Sequence, residues 1–455
     1  MTQDAPHRAH MLSVLADALA SLESGFTDLP RAESPAVGED RMRQVLMETA
    51  ERLRDNYPYF HPLYAGQMLK PPHPVARLAY ALAQSLNPNN HALDGGRASS
   101  FMEKEAVAEI AAMIGWTEHL GHLCGGGTMA NLEALWVAGR LRRGQRVVAS
   151  EQAHYTHQRI SGVLGLQFEA IACDPRGRMD CAALARALES GDVGCVVATV
   201  GTTGTGAVDS LPEILRLRER HGFRLHVDAA YGGYFMLAGN LDGETRAAFD
   251  ELGAADSMVI DPHKHGLQPY GCGCVLFRDP GVGRLYQHDS PYTYFTSSGL
   301  HLGEISLECS RPGAAAVALW ATQRLLPLVR GGEFAAGLRA CRAAALALYE
   351  LLRTDRRWAV PFPPELDIVI WIPRANSARE ASRLSRAMFE EAAGRNLHLA
   401  LASLPTRFFA ECAPEMKADQ ENVTCLRSVL MKPEHREWVE RIYKVLEQSA
   451  VAVTV

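Results

Sequence analysis

The sequence lacks long apolar runs: none of ~18 residues occurs within its 455 residues, so no membrane-spanning helix is expected. It also lacks low-complexity tracts, and its 47% hydrophobic and 22% charged residues are ordinary for a folded globular protein. Basic clusters are scarce, the densest being Arg140–Arg143, and the net charge is -6, so no nucleic-acid partner is expected. The expected partner is therefore a small molecule.

Metal-ligand spacing is also missing, although the chain has ten cysteines. Cys272 and Cys274 form a close pair, but no second Cys/His pair at zinc-ligand spacing accompanies them, so no metal site is expected. The first residues are mixed polar and charged and do not resemble a secretory signal. We therefore expect reduced thiols and a cytoplasmic protein.

Short β-rich runs alternate with helical stretches from about residue 120 to residue 280, which is typical of βαβ units. The predicted strands are Gln145–Ala149, Phe168–Ala172, Cys195–Val200, Arg224–Val227, Ser257–Ile260 and Gly273–Phe277. The predicted helices include Asn131–Arg143, Cys181–Glu189 and Leu211–His221. The pattern predicts an α/β fold with a mostly parallel central sheet.

The flanking regions differ from this central part. Residues 1–85 have helical patterns followed by a Pro-rich stretch, which would be hard to stabilise alone, so this segment is expected to pack on something else. Ala314–Leu352 is helical apart from a break at Pro327–Gly332, and strands at Ile368–Ile372 and Thr424–Met431 follow. The expected units are an N-terminal segment (1–85), a large α/β domain (86–315) and a small α+β C-terminal domain (316–455).

Two residues at strand ends are candidates for cofactor chemistry. Asp228 ends a buried strand, where an ionised carboxylate is costly unless it is paired, and a protonated pyridine nitrogen is such a partner. Lys264 follows the apolar strand Ser257–Ile260, where partial desolvation makes an amine available for imine formation. A helix-capping aspartate and a solvated loop lysine are the alternatives.

Two glycine-rich turns accompany these residues. Gly125–Thr128 leads into a helix, whose free N–H groups and dipole favour an anion such as a phosphate. Gly201–Gly206 follows a predicted strand and could present hydroxyl groups to a ligand. Each turn alone could be purely structural. Because all four segments belong to one predicted sheet, their convergence on one crevice favours a pyridoxal 5'-phosphate (PLP) site.

These ordered motifs resemble those of the group II PLP-dependent amino-acid decarboxylases, which include glutamate, aromatic-L-amino-acid and tyrosine decarboxylases. The resemblance runs from about Tyr57 to Pro433. It implies a fold of the type I PLP-dependent transferase kind and PLP as cofactor. It further implies a homodimer with active sites at the subunit interface, in which the N-terminal segment (1–85) packs on the partner subunit. The implied reaction is decarboxylation of an L-amino acid to an amine and CO2.

The resemblance also implies individual roles. Lys264 would hold the cofactor as a Schiff base, with His263 beside the phosphate. Asp228 would bind the pyridine nitrogen, while Ala230 would pack against a ring face. The other cofactor-binding residues would be Gly127 and Thr128 at the phosphate, His154 stacked on the ring with a catalytic role, and Thr203 near the ring.

Further residues would act on the substrate. Members of the resembled family use a loop tyrosine as proton donor, and Asp289–Gly299 has a lid-like mixture of Pro, Ser, Gly and aromatic residues. Tyr292 is the first choice as donor and Tyr294 the second, with simple packing of the loop as the alternative. Gln67 and Arg427 resemble substrate contacts of glutamate decarboxylases, although a loop Gln and a surface ion pair are open alternatives.

The reaction itself is less closely defined. His265–Gly271 is closer to archaeal tyrosine decarboxylases and sphingosine-phosphate lyases than to animal decarboxylases. An aldehyde lyase and a decarboxylation-dependent aldehyde synthase therefore stay open, as does the choice between acidic, small and aromatic substrates. An alternative from another class is a non-catalytic ligand-binding relative. The joint presence of Lys264, Asp228 and His154 argues against it.

Overall fold

The structure is a computed structural model that describes residues 5–30, 38–287 and 299–454. Within these residues a seven-stranded sheet forms the centre of the molecule. Its strands are β1 (Leu120–Cys124), β2 (Arg146–Ser150), β3 (Phe168–Ile171), β4 (Val193–Thr199), β5 (Arg224–Asp228), β6 (Ser257–Ile260) and β7 (Gly273–Phe277). Their order is β1-β7-β6-β5-β4-β2-β3, and within this sheet β7 alone runs antiparallel to its neighbours.

Burial explains why these segments form central strands. All seven residues of β4 are buried, as are all residues of β6 and β7. Near-continuous apolar runs of this kind suit a sheet that helices cover on both faces.

Helices surround this sheet and extend to both ends of the described chain. They are α1 (Ala5–Ser24), α2 (Glu39–Arg52), α3 (Pro74–Gln84), α4 (Arg97–Met113), α5 (Gly127–Leu141), α6 (Thr156–Val163), α7 (Cys181–Leu188), α8 (Leu211–His221), α9 (Gly243–Asp250), α10 (Gly313–Leu325), α11 (Glu333–Thr354), α12 (Ala378–Gly394) and α13 (His435–Thr454). No helix of the described ranges is long and apolar enough to cross a membrane.

A second, antiparallel sheet lies towards the C-terminus. Its strands are β8 (Trp358–Ala359), β9 (Ile368–Pro373), β10 (Ala400–Pro405) and β11 (Asn422–Val429), in the order β10-β11-β9-β8. Helices α11, α12 and α13 pack with this sheet around fully buried side chains that include Trp358, Trp371 and Leu348. This is a small α+β unit with its own core.

The predicted fold class, a mostly parallel α/β sheet with a small α+β C-terminal unit, is confirmed. The predicted helix at Asn131–Arg143 begins earlier, at Gly127, because the glycine-rich turn itself forms the first turn of α5. Strands β1, β8 and β10 lie outside the predicted set. The predicted domain boundaries stay predictions.

Candidate active site

A cavity of about 530 Å³ lies at the carboxyl ends of the central strands. Thr199 ends β4, Asp228 ends β5 and Asp261 follows β6, and all three line the cavity. Crevices at this edge of an open α/β sheet are the usual position of ligand sites. The predicted cofactor-binding residues all line it as well: Gly127, Thr128, His154, Thr203, Asp228, Ala230, His263 and Lys264.

One end of the cavity is formed by the start of α5. Gly126 precedes the helix with φ +144° and supplies no side-chain cap, so the first N–H groups of α5 have no capping side chain. A Cβ atom on Gly127 would lie 2.8 Å from Asp261 Oδ2 and 3.3 Å from Ala230 Cβ. Only glycine leaves this space open, and uncapped helix N–H groups suit a phosphate.

Asp228 lies deeper in the cavity and is buried. His157 Nε2 lies 2.8 Å from its Oδ2, and Asn131 Nδ2 donates to the same oxygen at 3.3 Å. The Ala230 N–H donates to Oδ1 at 3.1 Å. Burial alone would raise the pKa of Asp228, but the His157 hydrogen bond and charge and the charge of Lys264 hold this pKa well below its usual value. Asp228 is therefore an ionised carboxylate able to pair with a protonated pyridine nitrogen.

Sequence reasoning missed His157 and gave Asn131 no role. Asp228 lies 71 positions from His157 and 97 from Asn131 along the chain, so no local pattern joins these residues. A signal was present nevertheless, because His157 is the second histidine of the short segment that contains His154.

Lys264 pairs with a carboxylate that sequence reasoning also left without a role. Its Nζ lies 3.0 Å from Asp261 Oδ2, and its backbone N–H donates to the Asp261 carbonyl at 2.9 Å. Asp261 is 2% exposed, and its Oδ1 has no hydrogen-bond partner among the described residues. The ion pair holds the amine in the cavity rather than in bulk solvent.

The two cavity histidines are neutral. His263 Nδ1 donates to the Cys272 carbonyl at 2.8 Å, which fixes the ring, and burial lowers the His263 pKa. His154 Nδ1 lies 2.7 Å from Thr156 Oγ1, and burial lowers the His154 pKa against the opposing charge of Asp228. Neutral imidazoles can stack on a ring or accept a proton.

The predicted substrate contacts lie together but outside the cavity lining. Arg427 of β11 is 5% exposed, and its Nη1 lies 3.5 Å from Oε1 of the exposed Gln67. Its Nε and Nη2 have no hydrogen-bond partner among the described residues. Tyr292 and Tyr294 lie outside the described residues.

The donor and acceptor groups of the cavity match PLP. The amine of Lys264 can react with the aldehyde of PLP, and the buried carboxylate of Asp228 can pair with its pyridine nitrogen. The uncapped start of α5 can bind its phosphate. In the described part of the chain no group of three or more His, Cys, Asp or Glu residues could hold a metal ion.

Comparison with known proteins agrees with this chemistry. The family model described as "Pyridoxal-dependent decarboxylase conserved domain" matches residues 135–372. The L-tyrosine decarboxylase of Enterococcus faecium is 30% identical over 390 residues, covering 64% of this chain and 64% of that protein. The L-aspartate decarboxylase of Thermococcus kodakarensis is 29% identical over 281 residues, covering 61% and 71% respectively.

A solved structure shares this fold. The crystal structure of Oryza sativa TDC with PLP and tryptamine matches with a TM-score of 0.77 at 18% identity, covering 99% of both chains. This likeness establishes the class, a fold of the type I PLP-dependent kind. The family match is more specific, and the chain belongs to the pyridoxal-dependent decarboxylase family. PLP is the cofactor of this family.

Proposed function

We propose that the chain is a PLP-dependent decarboxylase that converts an L-amino acid to the corresponding amine and CO2. One observation carries the proposal: Lys264, Asp228 and His154 line one cavity together with the uncapped start of α5. When bound, PLP supplies an electron sink that stabilises negative charge at the α-carbon of an amino acid.

Each cavity residue then has a task. Lys264 would hold the cofactor through its amine, and Asp228 would keep the pyridine nitrogen protonated. Gly127 and Thr128 would bind the phosphate through backbone N–H groups of the first turn of α5. His154, as a neutral imidazole, would pack on the ring. Ala230, Thr203 and His263 would complete the cofactor contacts.

Arg427 would bind a carboxylate of the substrate. The buried guanidinium, two of whose nitrogens have no partner among the described residues, can donate paired hydrogen bonds to a planar carboxylate. Gln67, which lies 3.5 Å from Arg427, would contact the same group. Tyr292, or Tyr294 in its place, would return a proton to the α-carbon.

A homodimer with active sites at the interface is part of the proposal. Helix α2 has no buried residue, and Met42, Val45 and Leu46 expose roughly half of their surface on one of its faces. An apolar helix face of this kind suits burial against a second copy. All ten cysteines are free, which suits a reducing cytoplasmic location.

A substrate panel with mass detection of products tests the proposal. The named relatives make L-tyrosine and L-aspartate the first compounds, followed by glutamate and tryptophan. We expect an amine and CO2 from at least one of them, and no turnover by Lys264→Ala. An aldehyde with ammonia or peroxide would indicate the aldehyde-forming reactions instead. PLP binding without any product would favour a non-catalytic relative.

A further inference from the structure

A chain of buried hydrogen bonds supports Asp228 from the side of β6. Ser257 Oγ lies 2.9 Å from His226 Nδ1, and His226 Nε2 lies 2.8 Å from Asn131 Oδ1. Asn131 Nδ2 donates to Asp228 Oδ2, from which His157 Nε2 lies 2.8 Å. All five side chains are buried. These hydrogen bonds therefore connect two strands, β5 and β6, and two helices, α5 and α6, to one carboxylate oxygen.

The direction of these hydrogen bonds follows from the chemistry of their members. His226 and Asp228 are two residues apart on β5 and so point to the same face, on which Asn131 of α5 lies. Burial lowers the pKa of His226 to about 3, so the ring is neutral and carries one N–H. With Nε2–H donating to Asn131 Oδ1, the amide NH2 of Asn131 must face Asp228.

His157 makes a more specific contact. Its ring is fully buried at the start of α6, and its Nδ1 has no partner among the described residues. The contact with Asp228 is thus the ring's one hydrogen bond within that part of the chain. Both side-chain donors reach Oδ2, whereas Oδ1 accepts the backbone N–H of Ala230 and keeps spare acceptor capacity.

We propose that His157 is a positioning residue that holds Asp228 by Oδ2, so that Oδ1 is presented, ionised, to the pyridine nitrogen of the cofactor. This inference rests on the proposed function, in which Asp228 meets that nitrogen. His157 would act on the reaction solely through Asp228, since His157 itself is not among the residues that line the cavity.

Three variants separate this role from general stabilisation. His157→Leu removes the donor, whereas His157→Gln can place an amide N–H near the position of Nε2. His122→Leu is the matched control, because His122 is equally buried and its Nε2 lies 3.0 Å from Glu133 Oε2, away from the cavity lining. Each variant is produced in the presence of PLP. The measured quantities are its PLP affinity, the absorption spectrum of the bound cofactor, kcat and KM.

We expect His157→Leu to bind PLP about tenfold to a hundredfold more weakly, as loss of a hydrogen bond to a charged group requires. Its cofactor absorption band should shift, and kcat should fall while KM changes little. His157→Gln should restore most of the affinity and the wild-type band. His122→Leu should lower the melting temperature but leave PLP affinity and the band unchanged.

Three results would overturn the inference: wild-type PLP affinity in His157→Leu, an equal loss in His122→Leu, or no rescue by His157→Gln. If His157→Leu does not fold, nitrogen-15 NMR of the wild-type holoprotein tests the inference instead. A His157 ring that donates to Asp228 must carry a proton on Nε2. An Nε2 without a proton would overturn the inference. Borohydride reduction separates the two levels. If the wild-type protein attaches PLP to Lys264 and His157→Leu keeps the wild-type PLP affinity, this inference alone is contradicted. If the wild-type protein attaches no PLP to Lys264, the proposed function is contradicted.

Discussion

At the scale of single residues, the two buried carboxylates of the cavity, Asp228 and Asp261, have different partners. Asp228 Oδ2 is held by Asn131 and His157, whereas Oδ1 accepts only the backbone N–H of Ala230 among the described residues and can meet a cationic partner. Asp261 is already paired with the ammonium of Lys264 at 3.0 Å. A cofactor with one basic nitrogen and one aldehyde therefore meets a carboxylate at one position and an amine at the other.

Gly127 provides a direct test of the phosphate cradle. We expect Gly127→Ala to bind PLP at least about tenfold more weakly, because its Cβ would lie 2.8 Å from Asp261 Oδ2, at the start of the helix that is proposed to bind the phosphate. Equilibrium dialysis measures the affinity. Gly162→Ala is the control: this exposed helical glycine has nothing within 4 Å of an added Cβ, so affinity should not change. Equal affinities for both variants would contradict the phosphate assignment.

Part of this site could be predicted from the sequence and part could not. Asp228 ends one buried strand and Lys264 lies just after another, and that local pattern indicates a site at the edge of the sheet. His157 and Asn131 could not be assigned, because their roles depend on contacts 71 and 97 positions away. Asp261 lies three residues before Lys264 in the sequence, yet the pairing of the two side chains depends on a turn that sequence periodicity does not reveal.

At the scale of elements, the bounds of the strands were easier to predict than the order and direction in which the strands pair. Strands β2 to β7 are short apolar runs and were all predicted within two residues at each end. The antiparallel direction of β7 and its pairing with β1 depend on tertiary packing, and nothing in the strand's own residues indicates them. The start of α5 was misplaced because glycines usually argue against a helix.

Helix α2 carries the element-scale prediction. Leu46 is 57% exposed on a helix with no buried residue, so Leu46→Glu would place an unpaired charge in the proposed dimer interface. We expect a shift from dimer to monomer in sedimentation, with loss of activity. Val163→Glu, at an apolar position 77% exposed on α6, should stay dimeric and active. A dimeric, active Leu46→Glu protein would contradict the assignment of α2 to the interface.

At the scale of the whole molecule, buried titratable groups set the response of stability to pH. Burial lowers the pKa of His226 and of His435 from 6.5 to about 3. Between these values the unfolded chain binds protons that the folded protein does not, so stability falls as pH drops. Burial raises the pKa of Asp209 to about 6 and that of Glu365 to about 7, and these carboxyls oppose the loss in acid.

His435→Asn isolates one of these contributions, since an Asn side chain can still accept the Lys432 N–H. Between pH 7 and about pH 4.5, we expect the variant to lose roughly 2 kcal/mol less free energy of unfolding than the wild type. Urea unfolding of the PLP-saturated proteins measures this difference. His221→Asn, at an exposed position, should follow the wild type. Parallel curves for wild type and His435→Asn would show that His435 does not contribute.

The central claim is that this cavity holds PLP through Lys264. The most direct measurement is borohydride reduction of the purified yellow protein, followed by proteolysis and mass mapping of the modified peptide. The account predicts one phosphopyridoxyl group on Lys264, in a peptide that contains Asp261–Gly266, and none on the Lys264→Ala variant. Attachment at another lysine, or no attachment at all, would contradict it.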